Sequence, residues 1–474
     1  MSDFNKLSEI AVVIDSLHKT PKYSDVGKPM VRCTDVKYGR LKLTETFRVS
    51  DEVFEEFSRR YKPSKNDIVI TRVGSYGITA LVEDTNFCLG QNTSVIIPKI
   101  NPRYLYAALN SPQIKNQIEY SVVGSTQKTL SLKAINNLEI PRLGVQTEEK
   151  IGEIVGAIDD KIELNSQANQ TLEQIAQAIF KSWFVDFDPV RAKIAAREAF
   201  IQQHPEVTEA SIRAAAGTEG DTLAHAGAKA CELAAMCAIS GKSEEQLNEL
   251  DADVLQQLNS TAAQFPDALT DTELGEIPEG WDISTLGNLI EFNPRRTLKK
   301  GINAPYLDMK NIPETGHLAR EVIIREMGSG TKFINGDTLL ARITPCLENG
   351  KTAYVDFLNE GQVGWGSTEY IVMRPKDEHP LSLGYTIARM DDFRQKAIQT
   401  MTGTSGRQRA NAKALADLLW INYPAELLKE FDKVAGAYLR HAKCNGEEIK
   451  SLSALRDTLL PKLLSGELQV DDIA

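Results

Sequence analysis

A seven-residue apolar ladder that occurs twice, 280 positions apart, constrains this chain more than any other feature. From Glu148 to Phe184 there is no proline, and Ile151, Ile158, Asn165, Leu172 and Ile179 recur every seven residues. A second series reads Ile154, Lys161, Ala168 and Ile175, while Val155, Ile162, Ala176 and Trp183 widen the apolar side. This period describes a long helix packed along its length against another helix. The later copy reads Phe431, Tyr438, Asn445, Leu452 and Leu459, flanked by Val434, His441, Glu448 and Leu455. The central rung is asparagine in both copies. A core asparagine lowers stability but fixes register and partner number. Asn165 and Asn445 are therefore expected near the same level of an antiparallel helix pair.

The repeat extends upstream. Asn66-Asp67-Ile68-Val69-Ile70-Thr71-Arg72 matches Gly336-Asp337-Thr338-Leu339-Leu340-Ala341-Arg342, a polar turn and then an apolar strand ending in arginine. Ser94 to Lys99 matches Tyr370 to Lys376, a β-rich run stopped by proline. A polar turn with basic residues follows each: Gly124-Ser125-Thr126-Gln127-Lys128, and Gly403-Thr404-Ser405-Gly406-Arg407-Gln408-Arg409. Each unit thus reads as strands, short helices, a loop and one long helix. Residues 189–275 read as an acidic, Ala-rich helical connector, with helical runs from Ala228 to Ile239 and Ser243 to Leu258.

The formal net charge of −11 argues against nucleic acid until it is divided along the chain. Residues 1–145 carry +5, residues 146–275 carry −14, and residues 276–425 are neutral. A phosphate backbone requires local positive charge, which a global sum does not exclude. The cysteines (Cys33, Cys88, Cys231, Cys237, Cys346, Cys444) contain no C-x-x-C pair, and the first residues show no basic region leading into an apolar stretch. A reduced, cytoplasmic protein without a disulfide framework is expected. No run of about 18 apolar residues suggests a membrane span.

Three stretches resemble the specificity subunits of type I restriction–modification enzymes. Gln174-Ile175-Ala176-Gln177-Ala178-Ile179-Phe180-Lys181-Ser182-Trp183-Phe184-Val185-Asp186-Phe187-Asp188-Pro189-Val190 resembles the end of that family's central conserved region. Glu273-Leu274-Gly275-Glu276-Ile277-Pro278-Glu279-Gly280-Trp281 resembles the lead into its second target-recognition domain, and Leu459 to Leu468 its terminal conserved region. The first unit has no Pro-Glu-Gly-Trp of its own, which leaves its first strand undefined. The resemblance implies an α+β chain with pseudo-two-fold internal duplication. Two mixed α/β target-recognition domains, 1–145 and 276–425, would be separated by antiparallel coiled-coil helices, 146–188 and 426–474. It implies a non-catalytic subunit that reads a bipartite sequence in double-stranded DNA and docks two methylation subunits and nuclease/translocase subunits. S-adenosylmethionine, ATP and Mg would belong to those partners, with no cofactor in this chain and no membrane involved.

Base reading needs side chains that reach groove edges and others that hold phosphates. In the first domain the candidates are Arg72, Ser75 and Tyr76, then Gln91 and Asn92, then Ser125, Thr126, Gln127 and Lys128. In the second they are Arg342, Thr344, Trp365, Ser367, Thr404, Arg407, Gln408 and Arg409. The competing reading is that these loops only turn the chain, with Tyr76 and Trp365 in the core.

Catalytic motifs are missing. Asn101-Pro102-Arg103 and Asn293-Pro294-Arg295 lack the Asn/Asp-Pro-Pro-aromatic pattern of an adenine methyltransferase, and no G-x-x-x-x-G-K-[ST] loop occurs. The histidines are scattered without metal-ligand spacing. Asp337, Glu348 and Lys351 form the nearest thing to a nuclease set, but Glu-x-x-Lys puts the last two on opposite faces of a strand. The alternatives to a DNA reader are a coiled-coil adaptor with protein-binding domains and a stand-alone nuclease.

Overall fold

The computed structural model describes residues 3–123, 128–404 and 406–472. It divides into two compact units: residues 1–166 with 447–474, and residues 167–446. The division falls within both long helices, Val145–Phe184 and Ala425–Ser465. Each contributes one segment to the core of either unit.

In the first unit, Asp3–Lys6 pairs antiparallel with Glu139–Arg142 and closes the globular part. Between them lies an antiparallel sheet in the order Ala11–Asp15, Thr93–Pro98, Ile68–Thr71, Thr79–Leu81. The four residues of Ile68–Thr71 are all buried because the strand is covered on both faces. Ile68 and Ile70 pack with Tyr104, Leu105, Ile114 and Ile118 of the helices Pro102–Asn110 and Pro112–Ser121. Val69 faces a separate cluster with Val31, Val82 and Leu89. Both helices begin with proline, and the Asn101 and Ser111 side chains accept the free amides of Tyr104 and Ile114. A smaller sheet follows the order Tyr23–Ser24, Phe47–Val49, Lys28–Val31, Cys88–Leu89, its last pair parallel.

The second unit repeats the closing pair and the main sheet, and three strands of the smaller sheet, whose fourth strand lies at the opposite edge. Asp282–Thr285 pairs with Leu419–Asn422. The main sheet runs Ile290–Phe292, Tyr370–Pro375, Thr338–Ala341, Thr352–Tyr354. The smaller sheet runs Ile323–Glu326, Asn303–Leu307, Gly364–Gly366, Thr331–Phe333, again with one parallel pair. Asp3–Lys6 is therefore the counterpart of Asp282–Thr285, which resolves the undefined first strand.

The helices run antiparallel within each unit. In the first, Arg456 bonds Asp159 at 2.9 Å and Asn165 Nδ2 donates to Glu448 Oε2 at 2.7 Å. In the second, Asn445 Nδ2 donates to Asn169 Oδ1 at 2.7 Å. The asparagine rung expected from the sequence thus consists of two different pairs. The second ladder is corrected more sharply, because Ile175 and Leu455 are both exposed. A strict seven-residue series drifts around a 3.6-residue helix by about 20° per heptad, so only one series stays on the seam.

The aromatic residues of the family-like stretches are core. Phe180, Trp183, Phe184 and Phe187 pack with Trp281, Tyr423 and Phe431 in the second unit. The connector is a compact helical part of that unit, built from Asp188–Gln203, Glu209–Ala215, Leu223–Ser240 and Ala252–Ala262. The helical run expected from Ser243 to Leu258 is broken, since Glu244–Leu247 ends before Ala252–Ala262 begins. Buried Lys193 bonds Glu232 and the Phe265 carbonyl, and buried Arg197 bonds Asp267. Among the described residues no helix is long and apolar enough to cross a membrane.

Candidate nucleic-acid interface

The strand Ile68–Thr71 ends in a loop that the polar turn near residue 128 meets. Leu130 N donates to Arg72 O at 2.8 Å, Gly74 N to Lys128 O at 3.4 Å, and Thr129 bridges both Val73 and Val123. In the second unit Ala410 N donates to Arg342 O at 2.8 Å, Thr344 N to Gln408 O at 3.1 Å, and Arg409 bridges Ile343 and Thr402. Two loop groups far apart in sequence thus form one surface in each unit, held by the same backbone bonds. Side chains are free to differ on such a frame, because none of those bonds depends on them.

Individual candidates fare differently. Arg72 is largely buried, its Nη1 bonding Asp15 Oδ1 at 2.5 Å and its Nε the Leu130 carbonyl at 3.1 Å. Its bonds to Asp15 and the Leu130 carbonyl tie two strands and a loop together. Burial would raise the Asp15 carboxyl, but hydrogen bonds from Arg72, His18 and Ser94 outweigh it and hold the group below the usual carboxylate range. Arg72→Ala is therefore expected to lower the stability of the first unit by about 3 kcal/mol, the cost of taking the cation away from a largely buried carboxylate. A depressed carboxyl contributes stability above its unfolded pKa of about 3.9 and loses it as pH falls through the folded value. Thermal unfolding should accordingly show wild type and Arg72→Ala converging in acid. A constant gap between pH 7 and pH 3 would contradict this assignment.

Tyr76 is half-buried, and its hydroxyl donates to Glu119 Oε2 at 2.7 Å. Lys128 Nζ donates to Glu119 Oε1 at 2.8 Å and to the Tyr76 hydroxyl at 3.2 Å. Hydrogen bonds from Lys128 and Tyr76 lower the exposed Glu119 carboxyl. Ser75 is exposed, and its carbonyl accepts from the Cys33 thiol. Gln91 is half-buried, while Asn92 takes a left-handed turn, φ 67°, and accepts Arg72 N. Ser125, Thr126 and Gln127 lie outside the described residues.

In the second unit Trp365 is 4% exposed, packed with Ala304 and Met327. It packs as core, and Arg325 lies over it and over Tyr306. Ser367 Oγ accepts Glu369 N, a turn role. Arg409 is fixed bidentately by Glu369, with Nη2 at 2.7 Å. Thr344 Oγ1 accepts Gln408 N at 3.2 Å. Arg342 and Gln408 are half-buried, and Thr404 and Arg407 are exposed.

Sequence reasoning missed Tyr120, 90% exposed just ahead of the first polar turn, and the acids Glu119 and Glu369 that organise the basic residues. An aromatic beside a polar turn was the available signal for Tyr120. The nuclease set is corrected: Asp337 is fully buried and bonded by Arg296 and Arg374, so its carboxylate is not available to a metal. Among the described residues no group of three His, Cys, Asp or Glu is placed to hold a metal ion.

Residues 3–174 match the family model described as the type I restriction modification DNA specificity domain. The chain is 27% identical over 400 residues to the type I restriction enzyme HindI specificity subunit of Haemophilus influenzae, covering 81% of this chain and 82% of that protein. It is 22% identical over 441 residues to the MjaIX specificity subunit of Methanocaldococcus jannaschii, covering 90% and 82%. The crystal structure of a type I restriction–modification S subunit from M. genitalium aligns with a TM-score of 0.47 and 14% identity, over 98% of this chain and 96% of that one.

Proposed function

We propose that the chain is a specificity subunit of a type I restriction–modification system, like the relatives it resembles, and that it reads a bipartite DNA sequence and directs adenine methylation or cleavage by partner subunits. The observation that carries this reading is the repeated frame with divergent loops. The same backbone bonds join the loop pair in both units, while Lys128 stands where Gln408 does and Thr129 where Arg409 does. A duplicated reader of this kind imitates a two-fold dimer, yet its two half-sites need not be alike.

Double-stranded DNA is the substrate of recognition, and no catalytic step is assigned to this chain. Methylation subunits, two per chain, would dock on the long helices. Supporting this, Ile175 and Leu455 are exposed at equivalent positions of the repeat, an arrangement suited to two copies of one partner. Nuclease/translocase subunits would join them, and S-adenosylmethionine, ATP and Mg would be bound by these partners, in the cytoplasm. A purified complex of the chain with its methylation subunits is expected to protect two short blocks separated by a spacer whose bases are not read. Protection of one continuous block, or none that depends on sequence, would overturn the proposal.

A further inference from the structure

The two copies differ at one buried charge. In the first unit Arg72 is neutralised by Asp15, which also accepts from Ser94. Asp15 follows Ile14, and Ile14 lies opposite Val95. In the second unit Asn293 takes the place of Ile14, bonded through both its backbone amide and its side chain to Val372. Pro294 therefore stands where Asp15 does, and Ile371 where Ser94 does. Arg342, the counterpart of Arg72, has lost its internal carboxylate.

The consequence is visible around it. Arg342 Nε is buried without a hydrogen-bond partner among the described residues, and so is Arg296 Nε. Both arginines line a cavity of about 270 Å³ with Lys332, Thr331 and Thr368, and no acidic side chain lines it. Glu369, which feels the Arg342 charge, is already held by Arg409, and Arg296 Nη2 is held by Asp337. A half-buried guanidinium without a counterion is costly unless an anion arrives, and its planar fork matches a phosphate's paired oxygens. The Arg342 carbonyl and amide belong to the backbone frame of the recognition loops, so the cavity adjoins them.

We propose that Arg342, Lys332 and Arg296 form an oxyanion pocket that receives a backbone phosphate of bound DNA and positions the second half-site. This rests on the DNA-reading function above. In the first unit Asp15 supplies the carboxylate to Arg72 from within the sheet.

Two substitutions test the pocket in the complex with methylation subunits. Arg342→Gln removes the charge, and Pro294→Asp restores the carboxylate seen in the first unit while keeping the arginine. Both are expected to weaken binding about tenfold on every sequence, to make the salt dependence shallower by about one unit of log–log slope, and to leave the recognised bases unchanged. Unfolding temperature monitors the fold, and Pro294→Asp should not lower it. Inorganic phosphate should raise that temperature for wild type and not for Arg342→Gln. If phosphate stabilises but neither substitution alters DNA affinity, the pocket takes free anions and the DNA assignment falls. If both variants bind DNA as wild type does and phosphate has no effect, the pocket itself falls. A wild-type complex with no sequence-dependent protection would sink the functional reading as well.

Discussion

Exchanging residues 286–418 for the matching segment of a type I specificity subunit should replace one half of the recognised sequence and leave the other half and the spacer unchanged. The cut points follow from the pairing of Asp282–Thr285 with Leu419–Asn422, which encloses the second globular part and closes it with the Leu286 N to Leu418 O bond at 2.8 Å. Retaining that two-stranded pair keeps the chain's exit and return fixed. The incoming segment must still present apolar residues at Leu286, Leu289, Ile371, Leu383, Ile387 and Phe393, which share a core with Phe184 and Phe431. The loops at 342–349 and 402–409 leave with the segment, and with them the second unit's candidate reading residues. Sequencing of methylated adenines in cells carrying the chimaera reads the outcome directly. A folded chimaera with an unchanged target would favour the adaptor, whose globular parts bind protein.

How much of this was legible in the sequence depended on how local each signal was. The strands Ile68–Thr71 and Thr338–Ala341 could be read because an apolar run between a polar turn and an arginine is a local pattern, repeated. The loop groups around Arg72 and Lys128 could be named, and the structure brings them together. The partner of Arg72 could not be read, because Asp15 lies 57 positions earlier on another strand. Likewise, nothing near Trp365 announces that Arg325 will cover it. The smaller sheet was invisible for a different reason. Tyr23–Ser24 and Cys88–Leu89 are two residues each, too short for a period-two alternation to show. On the helices, periodicity placed the seam correctly at Ile151 and Ile158 but extended it to Ile175 and Leu455, which face outward.

Asp337→Ala should be the most damaging single substitution outside the aromatic core, and it separates a structural from a catalytic role for this carboxylate. Asp337 is fully buried at the turn before Thr338–Ala341. Oδ1 accepts from Arg374 at 2.8 Å and Arg296 at 3.1 Å, and Oδ2 accepts Ile334 N at 2.9 Å. Removing it leaves two largely buried guanidinium groups facing one another and an orphaned amide. Breaking a buried ionic network in this way costs about 3–5 kcal/mol, on the order of 10 °C in melting temperature for a unit of this size. The counterpart Asp67 carboxylate accepts, among the described residues, the Tyr61 hydroxyl at 2.7 Å and Ser64 N at 3.0 Å. Asp67→Ala strands no cation, so its cost should stay nearer 1–3 kcal/mol. Calorimetry on the two variants checks the ordering. Were Asp337 a metal-binding catalytic residue, its neutral variant would keep or raise the melting temperature by relieving an active-site charge. A metal-dependent cleavage activity lost at unchanged stability would therefore restore the nuclease reading, whereas a large loss of stability ties Asp337 to the frame that holds the second reader in place.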